Sequence, residues 1–486
     1  MPPPSALSPA GLVFAASGAV LVLEILGIRL LAPYVGLTLE TTTAIIGTVL
    51  AGIAAGAALG GRAADRLDPR RLLPVLLAGG GALALASVPL VRLLGGALQG
   101  GGDAAALLIT LLALFPPATV LSAVTPVVAK LQLRDLSATG SVVGRLSAWA
   151  TAGALAGTFA TGFVLVPLLP TSVAVLVVGG ALIALGLLTA LRGRDRGAVS
   201  TTLKLAAGAL VIGGGTLAAG TPCDAETTYH CARVVADAER ASGRTLILED
   251  LRHSYVDLDD PRHLEFDYVR WIGDAIDGMA PPGEPLDAVF VGGGGFTLPR
   301  YLAATRPGSR TRVLEVDEPL VDLVRERLGV RTGPALRVRV GDARITLRRE
   351  PAASAELVVG DAFGARSVPW HLATVEFARE VRRVLRPAGV YALNVIDRPP
   401  LKLLRAQAAT LATVFADVAL VDQPSPGGGP SGGNLVLLAS DAPLAPGIAS
   451  TARGASPLGR GAVARLAAGA DPLTDDDAPA DQLLNR

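Results

Sequence analysis

Seven apolar stretches, each close to the ~20 residues that a helix needs to cross a bilayer, fill the first 220 residues and restrict what that part of the chain can become. They run over roughly 11–31, 42–61, 72–96, 105–129, 146–168, 171–191 and 203–220. The last (LAAGALVIGGGTLAAG) is short and glycine-rich, so a count of six stands beside seven. Charge divides in the same place: residues 1–220 hold 13 of the 43 Lys+Arg and 7 of the 42 Asp+Glu. An apolar first part and a charged second part exclude both a wholly water-soluble enzyme and a bare membrane bundle. The net charge of +1 leaves no electrostatic footprint for nucleic acid, so no nucleic-acid partner is expected. Two Cys and four His without paired ligand spacing argue against a metal site.

Orientation follows from the basic residues. Arg62, Arg66, Arg70 and Arg71 lie between the second and third stretches, Lys130, Arg134 and Arg145 between the fourth and fifth, and Arg192, Arg194, Arg196 and Lys204 before the seventh. The positive-inside rule puts these loops and the N-terminus in the cytoplasm. A multi-pass protein of the cell membrane results, in contact with the lipid bilayer. Its second half faces outward with seven spans and the cytoplasm with six. Further spans follow the first and no basic segment precedes it, so a cleavable signal peptide is not expected. Gly52, Gly56 and Gly60 form a small-residue face, for packing inside the bundle or for a homodimer. Pro116, Pro117 and Pro126 are expected to kink the fourth span. Glu24, a carboxylate within the first span, is a candidate cation or proton site.

After residue 220 the period changes from helix-like to strand-like. Short β-rich runs (CARVVAD, RTLILED, HSYVDL) suggest a small antiparallel lead-in. Then LDAVFVGG, TRVLEVD, LRVRV, ELVVGD and GVYALNVID alternate with helical stretches, the order of an α/β doubly wound, mainly parallel Rossmann-like sheet. ADVALVD and GNLVLLAS read as a closing hairpin around the loop PSPGGGPSGG. The expected domains are 1–220 (membrane), 221–285 (β lead-in), 286–442 (α/β) and 443–486 (tail). Ligands of such sheets bind at the carboxyl ends of the strands. There the first strand runs into Gly292, Gly293 and Gly294, the second ends at Glu315, a match for a ribose diol, and Asp342 and Asp361 follow the third and fourth. The alternative is that these acids only cap helices.

The runs VFVGGGGFTLPRYL, VLEVDEPLVDLVRERL, VGDARITLRR and VVGDAFGARSVPWHLATVEFAREVRRVLRPAGVYALNV resemble the spermidine synthase (polyamine aminopropyltransferase) family. LVLEILGIRLLAPYVG and GTVLAGIAAGAALGGRAADR resemble the multi-spanning module fused to such domains in bacteria, and LTDDDAPADQLL the end of those fused chains. The resemblance implies a methyltransferase-type domain that transfers propylamine from decarboxylated S-adenosylmethionine, a co-substrate, to putrescine or another amine. It assigns donor binding to the glycine loop, Glu315 and Asp342, and proton acceptance to Asp361. The upstream segment HSYVDLDDPRHLEFDYVRWIGDAI resembles the family's substrate side and puts Tyr255, Glu265 and Tyr268 near the acceptor.

The departures are equally specific. The family's loop reads GGGDGG, its acid gripping the donor's amine, whereas this chain reads GGGGFT. The second Asp expected three residues after the catalytic one is Gly364, and Arg366 adds a positive charge. Two other readings therefore stay open: an S-adenosylmethionine-dependent methyltransferase, and a non-catalytic ligand-sensing or transport protein. Cys223 and Cys231 follow the last span, where an outward domain would join them in a disulfide and a cytoplasmic one would keep them as thiols. An outward domain also has to meet a donor made in the cytoplasm.

Overall fold

The computed structural model describes the chain except for residues 1–7, 36–38, 99–101, 134, 136–137, 219–220, 222, 228, 364–367, 424–429, 446–447, 449–455 and 485–486. Gly364, Arg366 and residues 424–429 of the PSPGGGPSGG loop thus lie outside the described residues. Two units result, Met1–Thr228 and Tyr229–Arg486.

The first unit is helical: α1 (Pro9–Val35), α2 (Leu39–Arg66), α3 (Pro69–Ala97), α4 (Gly102–Ala113), α5 (Phe115–Ser122), α6 (Val124–Gln132), α7 (Thr139–Ala160), α8 (Val166–Leu168), α9 (Thr171–Gly193) and α10 (Arg196–Ala218). With α4–α6 counted as one rod and α7–α8 as another, seven helices are long and apolar enough to cross a membrane, as the sequence predicts. The seventh starts at Arg196, seven residues before its apolar run, because Arg and Lys are good helix formers and carry the helix beyond its apolar part. Pro116 and Pro117 break the fourth rod and occupy the first turn of α5, where a missing N–H costs nothing. Pro167 cannot donate to the carbonyl four residues back, and the turn before it, Thr161–Leu165, relaxes into a π-helix. The glycine face of α2 is used inside the unit: a Cβ on Gly56 would stand 2.2 Å from the Thr119 carbonyl oxygen, and one on Gly60 2.7 Å from Ala123. Glu24 sits half-buried on α1. Strand β1 (Ala225–Glu226) closes this unit.

The second unit opens with β2 (Cys231–Ala236), β3 (Gly243–Leu248) and β4 (Leu251–Asp257), paired antiparallel, followed by α11 (Asp267–Gly278). An eight-stranded mixed sheet follows: β5 (Asp287–Val291), β6 (Arg310–Glu315), β7 (Leu336–Val340), β8 (Ala355–Gly360), β9 (Leu385–Asp397), β10 (Asp417–Asp422), β11 (Gly433–Ser440) and β12 (Ser456–Leu458), in the order β12-β10-β11-β9-β8-β5-β6-β7. The strands β5 to β9 run parallel, with α12 (Thr297–Thr305), α13 (Glu318–Leu328), α14 (Ala343–Thr346) and α15 (Val375–Val384) between them, and α16 (Lys402–Val414) leads to the antiparallel edge. The order reverses at β5, between β6 and β8, which is where a doubly wound sheet opens its crevice. Helix α15 shows why the layers close: Thr374 caps it by accepting from the Phe377 N–H, and Val375, Ala378, Val381 and Val384 turn inward while Arg382 and Arg383 lie in the last turn.

The tail is part of this core rather than an appendage. Strand β12 pairs with β10, and Val463, Leu473 and Ala480 are buried against the sheet. Asp475 ion-pairs with Arg344 and accepts from the Thr374 hydroxyl at 2.7 Å, tying the tail to α14 and to the start of α15.

Candidate active site

Three strand ends of the second unit converge. Val291 of β5 pairs with Leu314 of β6 on one side and Gly360 of β8 on the other, so the glycine loop, Glu315 and Asp361 leave the sheet side by side. Gly292 is held at φ +93, and a Cβ there would lie 2.3 Å from the Asp361 carbonyl oxygen. Only glycine combines that backbone with that approach.

Glu315 is 7% exposed. Its carboxylate accepts from the Gly293 N–H at 2.8 Å and the Asp317 N–H at 3.0 Å, so it braces the glycine loop from behind. Burial pushes its pKa up, against the pull of those two donors. Asp342 does what the capping alternative describes: it caps α14 by accepting from the Arg344 N–H at 2.7 Å, and its other oxygen lies 3.0 Å from His371 Nε2.

Asp361 stands at the end of β8 in the wall of an open cavity of about 440 Å³. The Tyr268 hydroxyl donates to it at 3.2 Å and the Asn394 amide at 2.9 Å. Burial raises its pKa from 3.8 to about 6, against these two hydrogen bonds, which lower it. Glu265, Tyr268, Trp271 and Asp422 line the same cavity. A smaller recess of about 30 Å³ shares Asp361, Tyr268 and Glu265 and adds Gly292, Gly293, Gly294 and Tyr255. The fold thus gathers the glycine loop, Glu265, Tyr268 and Asp361 around one crevice, with Glu315 behind the loop. Asp342 and Glu315 line neither cavity. Tyr255 commits its hydroxyl to Asp237 at 2.7 Å, and Glu265 lies 3.2 Å from His263 Nε2.

Sequence reasoning missed Asn394 and His253. Asn394 is legible as the lone amide in the apolar run GVYALNVID, since a buried polar side chain in a strand needs a partner. His253 lines both cavities, and its buried Nδ1 has no hydrogen-bond partner among the described residues. Burial lowers its pKa to about 4, with the charge of His230 adding to the effect, so the ring is neutral at pH 7. Both cysteines, Cys223 and Cys231, are disulfide-bonded.

The missing loop acid has a steric reason. A Cβ on Gly295, the fourth residue of the loop, would lie 2.8 Å from Ser254 Cβ, and Ser254 Oγ already accepts from the Gly295 N–H at 2.9 Å. Gly295→Asp is therefore expected to destabilise the fold by about 1–3 kcal/mol through overpacking, and Ser254→Gly to recover part of the loss. Denaturant unfolding of the parent, the Gly295→Asp variant and the double variant checks this. A Gly295→Asp variant as stable as the parent would refute the steric account.

No family model matches the chain. A curated relative, the polyamine aminopropyltransferase of Vibrio vulnificus (strain CMCP6), is 31% identical over 166 residues, which are 34% of this chain and 53% of the relative. The chain thus spans about half the length of the curated relative it matches. Among solved structures, a probable spermidine synthase from Corynebacterium glutamicum ATCC 13032 is 29% identical (TM-score 0.48; 52% of this chain, 97% of that one). The spermidine synthase of Thermotoga maritima is 16% identical (TM-score 0.36; 44% and 70%). Over the 166 aligned residues, the chain is thus similar to a polyamine aminopropyltransferase.

Proposed function

We propose that this chain is a membrane-bound aminopropyltransferase-like enzyme that moves a propylamine group from decarboxylated S-adenosylmethionine to putrescine or a related amine. The observation that carries the reading is Asp361, a carboxylate fixed by Tyr268 and Asn394 in a cavity wall beside the glycine loop. A primary amine has a pKa near 10 and is protonated at neutral pH, so it cannot attack until it loses a proton. Asp361 holds the ammonium and accepts that proton. The amine nitrogen then forms a bond to the carbon next to the sulfonium, the C–S bond breaks, and its electron pair leaves a neutral thioether. Glu315 receives the ribose hydroxyls on its remaining lone pairs. Glu265 and Asp422 add negative charge along the acceptor's path.

His253 takes over the role that the loop acid has elsewhere in the family. Its neutral ring offers an unpaired Nδ1 next to Gly294, where a Cβ would stand 3.3 Å away, and an amine of the donor can hydrogen-bond to it there.

The pH profile tests the assignment. With the Asp361 pKa raised to about 6, the base form is lost below that value, so kcat is expected to fall on the acid side with an apparent pKa near 6. A profile flat down to about pH 4.5 would remove Asp361 from the proton path.

The seven apolar helices and the two disulfide-bonded cysteines together support a second unit on the outer, oxidising side. A reporter active only outside the cytoplasm, fused at residue 225, is expected to be active. Activity of a cytoplasm-dependent reporter there would return the unit to the donor's compartment.

A further inference from the structure

The turn between α9 and α10 carries a feature that the transferase reading leaves unused. Helix α9 ends at Gly193, Arg194 turns the chain in the left-handed region (φ 53), and α10 starts at Arg196. Beside this turn lies a groove of about 610 Å³ between the two helices. Its wall is apolar, from Leu191, Val199 and Leu203, and its polar lining is Ser200 with three cations, Arg194, Arg196 and Lys204. Leu191 and Leu203 are 52% and 50% exposed, a cost in water and none against acyl chains.

Among the described residues these cations have no acid to pair with. Asp195 is the sole carboxylate of the turn, and it is already engaged: it forms an ion pair with Arg71 of α3 at 2.6 Å and accepts from the Gly197 and Ala198 N–H groups at 2.9 and 3.1 Å, capping α10. Arg194, Arg196 and Lys204 form no ion pair among the described residues. Lys204 follows Arg196 by eight residues, ~12 Å along the helix at about 1.5 Å per residue. Its ammonium therefore starts well inside the apolar wall and reaches back toward the rim along its own stem.

We infer that this groove binds an anionic phospholipid, the phosphate held by Arg194, Arg196 and Lys204 and an acyl chain lying along Leu191, Val199 and Leu203. The charge pattern favours a lipid over a free anion, because inorganic phosphate would use the cations and leave the apolar wall empty. A zwitterionic lipid would bring a cation of its own to the same three. The basic turn has thus two roles: it sets orientation, and it reads the headgroup charge of the leaflet that surrounds it.

The experiment uses the full chain in detergent, with lipid retention read by native mass spectrometry and thermal stability read alongside. Phosphatidylglycerol is expected to stay bound and to raise the melting temperature, while phosphatidylcholine and inorganic phosphate at the same concentration do neither. Removing cations one at a time (Arg194→Gln, Arg196→Gln, Lys204→Gln) is expected to weaken phosphatidylglycerol by about fivefold each. Ala207→Trp, which fills the groove from an exposed position and keeps all three charges, is expected to weaken it too and decides the matter if the triple variant does not fold. Arg62→Gln with Arg70→Gln, in another basic loop, should leave retention unchanged. Equal retention of the two lipids, a triple variant that binds like the parent, or phosphate that stabilises as well as the lipid would each overturn the inference.

Discussion

Asp361→Asn is expected to lower turnover by roughly a hundred- to ten-thousand-fold, the usual contribution of a general base, with the fold and donor binding kept. The substitution preserves shape: the amide oxygen can keep accepting from the Asn394 amide, and the Tyr268 hydroxyl, which meets the other oxygen of Asp361, can turn to accept from the new NH2 group. What it removes is the charge that holds an ammonium and the lone pair that takes its proton. Stability supplies a second readout with a definite sign. A folded-state pKa raised to about 6 from the usual 3.8 means that the folded protein binds this proton more tightly than the unfolded chain. The carboxylate then costs stability progressively as pH rises from 3.8 through about 6. At pH 7 the Asn variant should therefore unfold at or above the denaturant concentration of the parent while being nearly inactive. Normal turnover with putrescine and the decarboxylated donor would reduce Asp361 to a structural residue.

Glu315→Ala is expected to weaken an adenosyl ligand by about 1.5–3 kcal/mol, on the order of 10- to 150-fold in Kd. Two losses combine. The ribose loses its charged acceptor, and the buried N–H groups of Gly293 and Asp317 lose theirs, which loosens the glycine loop. Glu315→Gln keeps one acceptor oxygen and should fall between Ala and the parent. Isothermal calorimetry on the full chain measures the series. Equal affinities across it would mean that the acid braces the loop without meeting a ligand.

The parts of this fold that are legible in sequence are those fixed by local periodicity. Seven apolar runs became seven helices, and the alternation of strand and helix gave the order in which Glu315, Asp342 and Asp361 leave the sheet. What stays hidden depends on contacts between distant residues. Nothing local announces that Ser254 of β4 fills the space where the family's loop acid would stand, or that Asn394 and Tyr268 reach Asp361 from β9 and α11. Nor does anything local announce that Leu473 of the tail, 3% exposed, donates its N–H to the Thr410 hydroxyl of α16. Asp342 caps α14 with His371 beside it, a pairing across 29 residues that spacing does not reveal.

Incubating the purified full chain with decarboxylated S-adenosylmethionine and putrescine, and following the amine products by mass spectrometry, tests the central claim most directly. The expected result is an amine heavier by one aminopropyl group together with the thioether nucleoside, both abolished by Asp361→Asn. No aminopropylated amine from putrescine or other amines, or methylated product from S-adenosylmethionine instead, would contradict aminopropyl transfer.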